Sequence, residues 1–154
     1  MKINLKHSKS RWVDIDGESQ FLIDYPTIEQ QDEIDIVLAE IMFMDESLIG
    51  VVDKGQMEQK LNSFSARNKA QVTHLNKKLG RLAIKYQVKD WKGIVNGNGK
   101  AVKIRLVPHL ESGTQIEEKL FKSLIKELKW WDLVHIFNCF SQETELNETD
   151  KKKL

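Results

Sequence analysis

The chain has 154 residues, 40% hydrophobic and 31% charged, which suits one globular domain with a real core. Its single cysteine, Cys139, excludes an internal disulfide framework and fits a reducing compartment, and the lack of any apolar run of about eighteen residues argues against a membrane helix. The net charge of +1 hides a segregation: residues 14–59 hold thirteen acids against one base, and residues 65–108 hold eleven bases against one acid, an asymmetry that bears on partners rather than on fold.

The basic N-terminus, MKINLKHSKSRW, lacks the apolar centre of a signal peptide. Ile3 and Leu5 predict a short first strand. Residues 12–15 and 21–23 predict a hairpin around Asp16-Gly17, a pair suited to tight turns. Pro26 closes this unit. Thr27 then opens a helix, and Gln30, three residues on, completes a capping box. Ile34, Val37, Leu38 and Ile41 form one apolar stripe, which ends near Met44 or Asp45. Residues 46–56 read as a loop. The polar stretch 57–78, with Leu61, Phe64, Val72 and Leu75 widely spaced, reads as a helix and a loop or as a partly mobile segment.

From Arg81 to Val107 the pattern changes. Leu82, Ile84, Tyr86 and Val88 alternate with Ala83, Lys85, Gln87 and Lys89. Beyond Asn96-Gly97-Asn98-Gly99, Val102, Ile104 and Leu106 alternate with Lys103 and Arg105. Period two places alternate side chains on opposite faces, so this stretch predicts a long β-hairpin with an apolar face and a basic face. Pro108 ends its second strand. Thr114 with Glu117 forms a second capping box, opening a helix over about residues 115–140 that breaks near Trp130-Trp131. Its apolar face should cover the hairpin, since each needs a partner. The whole predicts an α+β fold: an antiparallel sheet from two β-hairpins packed against two main helices. The domain spans 1–141 and a polar tail spans 142–154.

No chemistry assembles from these residues. His7, His74 and His109 stand alone in sequence; His135 lies at i−4 from Cys139. A small buried thiol beside a boundary histidine explains that pair more simply than a metal site or a dyad. Gly97-Asn98-Gly99-Lys100 lacks the full phosphate-loop pattern and sits in a turn. Asp14 and Asp16 flank a turn, where acids are expected. No catalytic, cofactor-binding or metal-ligating residue is assigned, and the chain reads as a non-enzyme.

Two surfaces remain. Lys85, Lys89, Lys103 and Arg105 project from one side of the expected hairpin with Trp91 nearby, a candidate basic surface for nucleic acid. Edge lysines that deter strand pairing account for the same residues. Phe121, Ile125, Trp130 and Trp131 form a candidate partner-binding face on the last helix, or belong to its core. The two charge blocks also admit a head-to-tail contact between copies, which implies a salt-sensitive homo-oligomer.

The phrases FLIDYPTIEQ (21–30), YQVKDWKGIVNGNGK (86–100) and LNETDKKKL (146–154) resemble small proteins of the structural gene cluster of tailed bacteriophages and prophages. Trp91 and Gly93 match the Asp-Trp-x-Gly of that pattern; residues 46–78 match nothing in it. The resemblance implies a strand leading to an acidic helix, a strand with a Gly-rich turn, and a C-terminal helix. It implies a non-enzymatic role in the host cytoplasm or the virion. Several such proteins are tail assembly chaperones, which hold the tape-measure protein; others are head–tail connectors or minor virion components.

Overall fold

In the computed structural model the backbone is described for residues 10–152 and side chains for residues 10–142. The strand expected through Ile3 and Leu5 lies outside the described residues. The fold is α+β, with the element order ββααα-βββ-αα. The first hairpin forms as its turn sequence requires. Strands β1 (Arg11–Asp14) and β2 (Gln20–Ile23) pair antiparallel with Val13 opposite Phe21. One carboxylate oxygen of Asp16 accepts from the backbone N–H groups of Ser19 and Glu18, at 2.7 and 2.9 Å. Those two donors hold the Asp16 carboxyl below the usual carboxylate range.

Helix α1 (Ile28–Asp45) starts where the capping box places it. Thr27 Oγ1 accepts from the Gln30 N–H at 3.2 Å, and Gln30 Oε1 accepts from the Thr27 N–H at 3.1 Å. Ile34, Val37 and Ile41 turn into the core. A short 3₁₀ turn, Glu46–Leu48, follows. The stretch that reads poorly in sequence is helical: α2 (Lys54–Asn62) is capped by Asp53, and α3 (Ala66–Gln87) by Ser65.

The run of α3 overturns the expected long hairpin, because residues 82–87 are helical. The reason is visible in their burial. Val72, Leu75, Leu79, Ala83 and Tyr86 recur at helical spacing and all are buried. The alternating reading needs Ala83 and Gln87 on a polar face, yet Ala83 is 0% exposed and Gln87 9%. Over six residues a period of two and a period of 3.6 overlap. The helix that Ser65 starts upstream decides between them.

Strand β3 (Val88–Lys92) then pairs with β2, Trp91 opposite Phe21, giving a three-stranded sheet in the order β1-β2-β3. Gly93 follows β3 at φ +81, and a side chain there would run into the Glu18 carbonyl oxygen. Only glycine fits both demands. The reversal at Asn96-Gly97-Asn98-Gly99 does occur, on short arms: Val95 bridges Ala101, and the Val102 N–H donates to the Ile94 carbonyl at 2.9 Å.

The second paired hairpin lies further on. Strands β4 (Leu106–His109) and β5 (Gly113–Ile116) pair antiparallel, with Pro108 opposite Thr114. Pro108 therefore sits inside a strand rather than ending one. A two-stranded ladder has edges that tolerate a missing N–H. Thr114 is likewise a strand residue, not a helix cap. Glu117 caps helix α4 (Glu118–Lys126), accepting from the N–H groups of Lys119 and Leu120 at 3.0 and 3.2 Å. The helix expected over residues 115–140 does break, just before the expected Trp130-Trp131. Helix α5 (Trp130–Lys152) begins after a break at residues 127–129 and continues through the stretch read as a polar tail.

Two apolar clusters fill the interior. One joins the sheet to α3 and α5 through Phe21, Ile84, Val88, Trp91, Leu133 and Phe140. Phe21 meets the rings of Trp91 and Phe140 edge-on, with centroids 6.5 and 6.0 Å away. The other joins α1, α2 and α3, with Val134 of α5. Helices α3 and α5 thus serve both clusters, and they approach closely at Gly80. A Cβ there would lie 2.6 Å from the Leu133 carbonyl oxygen and 2.7 Å from its Cβ.

Gly80→Ala tests that approach. Removing a helix glycine gains about 1 kcal/mol of propensity, but forcing a methyl against backbone costs about 1–3 kcal/mol or more. The substitution should therefore lower the urea midpoint while helical circular dichroism is kept. A midpoint above the wild type would show that the two helices have room to spare.

Candidate functional site

The spacing of α1 builds two apolar faces. Ile34, Val37 and Ile41 face inward. Ile36, Ala39 and Phe43, at i, i+3 and i+7, face outward, with Ile28 and Met42 beside that stripe. Phe43 is 93% exposed, Ile28 80%, Ile36 60% and Met42 50%. Each large side chain left in water forgoes about 1.5–3 kcal/mol of burial. Ile36, Met42 and Phe43 lie within about two turns of one helix, and clustered apolar exposure of this kind marks an interaction site.

A shallow cleft of about 480 Å³ runs along it, lined by Ile36, Ala39, Glu40, Phe43 and Met44 with Gln71 of α3. The charge differs between its two walls: on α3, Arg67 and Lys78 stand at i−4 and i+7 from Gln71 and both are exposed. Helix α1 contains six acids and no base, and Glu29, Asp32, Asp35 and Glu40 are all exposed.

A second cluster sits at the head of α1, beside a cleft of about 840 Å³ lined by residues that include Asp24, Thr27, Lys89, Leu106 and Thr114. Gln30 is 1% exposed, and its Nε2 donates to the Thr114 carbonyl at 3.0 Å and to His109 Nδ1 at 3.1 Å. The Tyr86 hydroxyl donates to Glu33 at 2.5 Å, and its ring stacks on His109 with centroids 4.7 Å apart. Burial, then the hydrogen bond to Glu33 and its charge, pushes the Tyr86 phenol well above the usual tyrosine range. Lys89 Nζ donates to the Tyr86 carbonyl at 2.8 Å and to Thr114 Oγ1 at 2.7 Å. Burial lowers the Lys89 pKa, and nearby Asp24 opposes the shift.

A perturbed lysine in a cleft is one signature of an active site. Here its donors are engaged in joining elements: Lys89 caps the last turn of α3, and Gln30 ties α1 to β5. The cluster is a clamp.

The sequence-predicted basic residues sit on different elements. Lys85 lies on α3, its ammonium 5.8 Å from the Tyr86 ring centre and 6.0 Å from that of Phe121. Lys89 is in the clamp. Lys103 is exposed in the segment before β4. Arg105 pairs with Glu117 at 3.0 Å. The four do not share a strand face, because the strand that would have aligned them is partly helix. Trp91 is 6% exposed and its indole N–H donates to the Val102 carbonyl at 2.6 Å, so it is no platform for a base.

Phe121 and Ile125 are half-buried against the sheet cluster, whereas Trp130 and Trp131 are half-buried against the helical one. The two tryptophans meet edge-on at 5.6 Å. The four are split between two clusters and do not form a single face. His135 Nε2 lies 2.9 Å from the Ile15 carbonyl oxygen and 3.7 Å from Cys139 Sγ. A carbonyl only accepts, so that nitrogen carries a proton and has no lone pair for the thiol's. Among the described residues no three His, Cys, Asp or Glu side chains gather to hold a metal.

Sequence reasoning missed Ile36, Met42 and Phe43. The signal was the run Ile41-Met42-Phe43-Met44, which is apolar all round the helix and exceeds one inward stripe. No helix among the described residues is long and apolar enough to cross a membrane. No protein-family model, curated protein or solved structure matches the chain.

The clamp yields a pH signature. Tyr86→Phe removes the bond to Glu33 and should cost about 0.5–1.5 kcal/mol near neutral pH. The folded pKa of Tyr86 is raised above an unfolded value of about 10. Its contribution is therefore present below pH ~10 and lost as pH rises through the raised value. Urea unfolding at several pH values on either side of ~10 should show the wild type losing stability more steeply than Tyr86→Phe. Parallel slopes would remove the phenol from the alkaline limb.

Proposed function

We propose that this protein is a non-enzymatic contact module of tailed-phage or prophage morphogenesis, acting in the host cytoplasm as tail assembly chaperones do. The observation that carries this reading is the outward face of α1, where large apolar side chains stand in water. A chaperone of this kind holds apolar helical segments of a tape-measure-like protein until they are built into the tail. Such a task needs a preformed apolar surface on a stable scaffold, and charge that keeps the free protein soluble. The face of α1 supports this better than Phe121, Ile125, Trp130 and Trp131, which are half-buried. The nucleic-acid reading is supported less well, because Lys89 is tied to Tyr86 and Thr114 and Arg105 is paired with Glu117.

Deleting the gene from the phage or prophage that carries it should leave filled heads without tails, scored by electron microscopy of the lysate. Wild-type protein supplied in trans should restore tails, and the Ile36→Asp/Phe43→Asp variant should not. A normal yield of tailed particles from the deletion would overturn the proposal.

A further inference from the structure

We infer that copies of this chain dock head to tail, with Phe43 of one seated in a cleft beside α4 of the next. The cleft has a volume of about 470 Å³ and lies between the reversal at residues 94–102 and α4. Trp91, Ile94, Val102, Leu120 and Leu124 line it. Its apolar walls are only half covered. Helix α4 carries Leu120, Phe121, Leu124 and Ile125, yet none of its residues is fully buried, and Val95 in the lining is 56% exposed. Clefts of this size take apolar groups. Phe43 is the converse: at 93% it is the most exposed large apolar side chain among the described residues. Aromatic rings seated in pockets are typical anchors of an interface.

Charge matches the two surfaces to each other. Glu40 and Glu46, both exposed, stand at i−3 and i+3 from Phe43. Lys119 and Lys126, both exposed, stand at i−4 and i+3 from Ser123 in the cleft wall. Exposed Lys100 adjoins the other wall, its carbonyl accepting from the N–H of the lining residue Asn96 at 2.8 Å. Two charges run the other way: Arg67, at i−4 from Gln71, beside Phe43, and Glu127 in the cleft. They are opposite in sign to each other.

The segregation of charge along the chain points to a second copy as the partner. Residues 28–46 hold seven acids and no base, and residues 91–105 hold four bases and no acid. Folding does not bring these blocks together: the ion pairs Lys54–Glu58, Arg105–Glu117 and Lys122–Glu118 use no acid of α1. Between copies the blocks can meet. Two α1 faces would oppose acid to acid, so the contact joins unlike surfaces, which builds rings or filaments rather than closed two-fold dimers.

Sedimentation velocity over about 5–300 µM at low salt should show the wild type associating as concentration rises, and about 0.5 M NaCl should weaken the association severalfold. Phe43→Ser removes the ring, and Val95→Glu/Ser123→Glu places acids in the cleft. All three side chains are exposed, so both variants should keep the wild-type thermal midpoint. Each variant alone should associate at least about tenfold more weakly. Mixed, they should form a 1:1 complex that grows no further, because one keeps the cleft and the other keeps Phe43. If the cleft variant lowers the midpoint, Lys119→Glu/Lys126→Glu on the exposed side of α4 takes its place in the same mixture.

A wild type that stays monomeric throughout would overturn the inference. So would association that either variant leaves intact, or variants that fail to complement each other when mixed, which marks a contact between like surfaces. A monomeric wild type beside lost tails in the deletion sinks this contact and leaves the morphogenesis reading standing. Self-association with complementation beside intact tails does the reverse.

Discussion

The structure depends on two helices crossing with almost nothing between them. At Gly80 the backbone of α3 comes against Leu133 of α5 so closely that even a methyl group has no space. That crossing lets one helix pair serve two interiors. On one side α3 and α5 close over the sheet; on the other, α3 backs the α1–α2 layer with Val134 as the link. A wider separation would leave a gap along both clusters at once, and close-packed interiors accommodate such gaps poorly.

Local signals in the sequence were reliable where the structure uses them locally. Asp16-Gly17 and the Thr27–Gln30 box each act within a few residues, and both stand where their residue types place them. The same kind of signal failed at Thr114. Its S/T-x-x-E pattern is equally good on paper, but its segment is held in a ladder with β4, a partner that local pattern cannot announce. Residues 82–87 failed for a related reason. Ala83 is neutral in an alternating pattern, and only the stripe running back to Val72 shows it to be buried. Residues 57–78 were obscure because their apolar residues are few; α2 and α3 nevertheless bury Met57, Leu61, Val72 and Leu75.

The candidate site was the least legible part. A hydrophobic residue on an amphipathic helix is read as core by default, and α1 has enough of them to hide a second face behind the first. The charge segregation was plain in the sequence, but its meaning needed geometry. Asp32 and Asp35 of α1 stand within the outward face itself, and the bases of the next block are spread over α3, β3 and the segment leading to β4. Lys89, one of the four residues of the expected basic surface, instead secures the end of α3.

The division of labour in α5 has a consequence for how damage would spread. Leu133, Val134, Ile136 and Phe140 come from about two turns of one helix, and both interiors draw on this set. A lesion in that short stretch loosens the sheet side and the helical side together, so the two interiors melt jointly rather than as independent units.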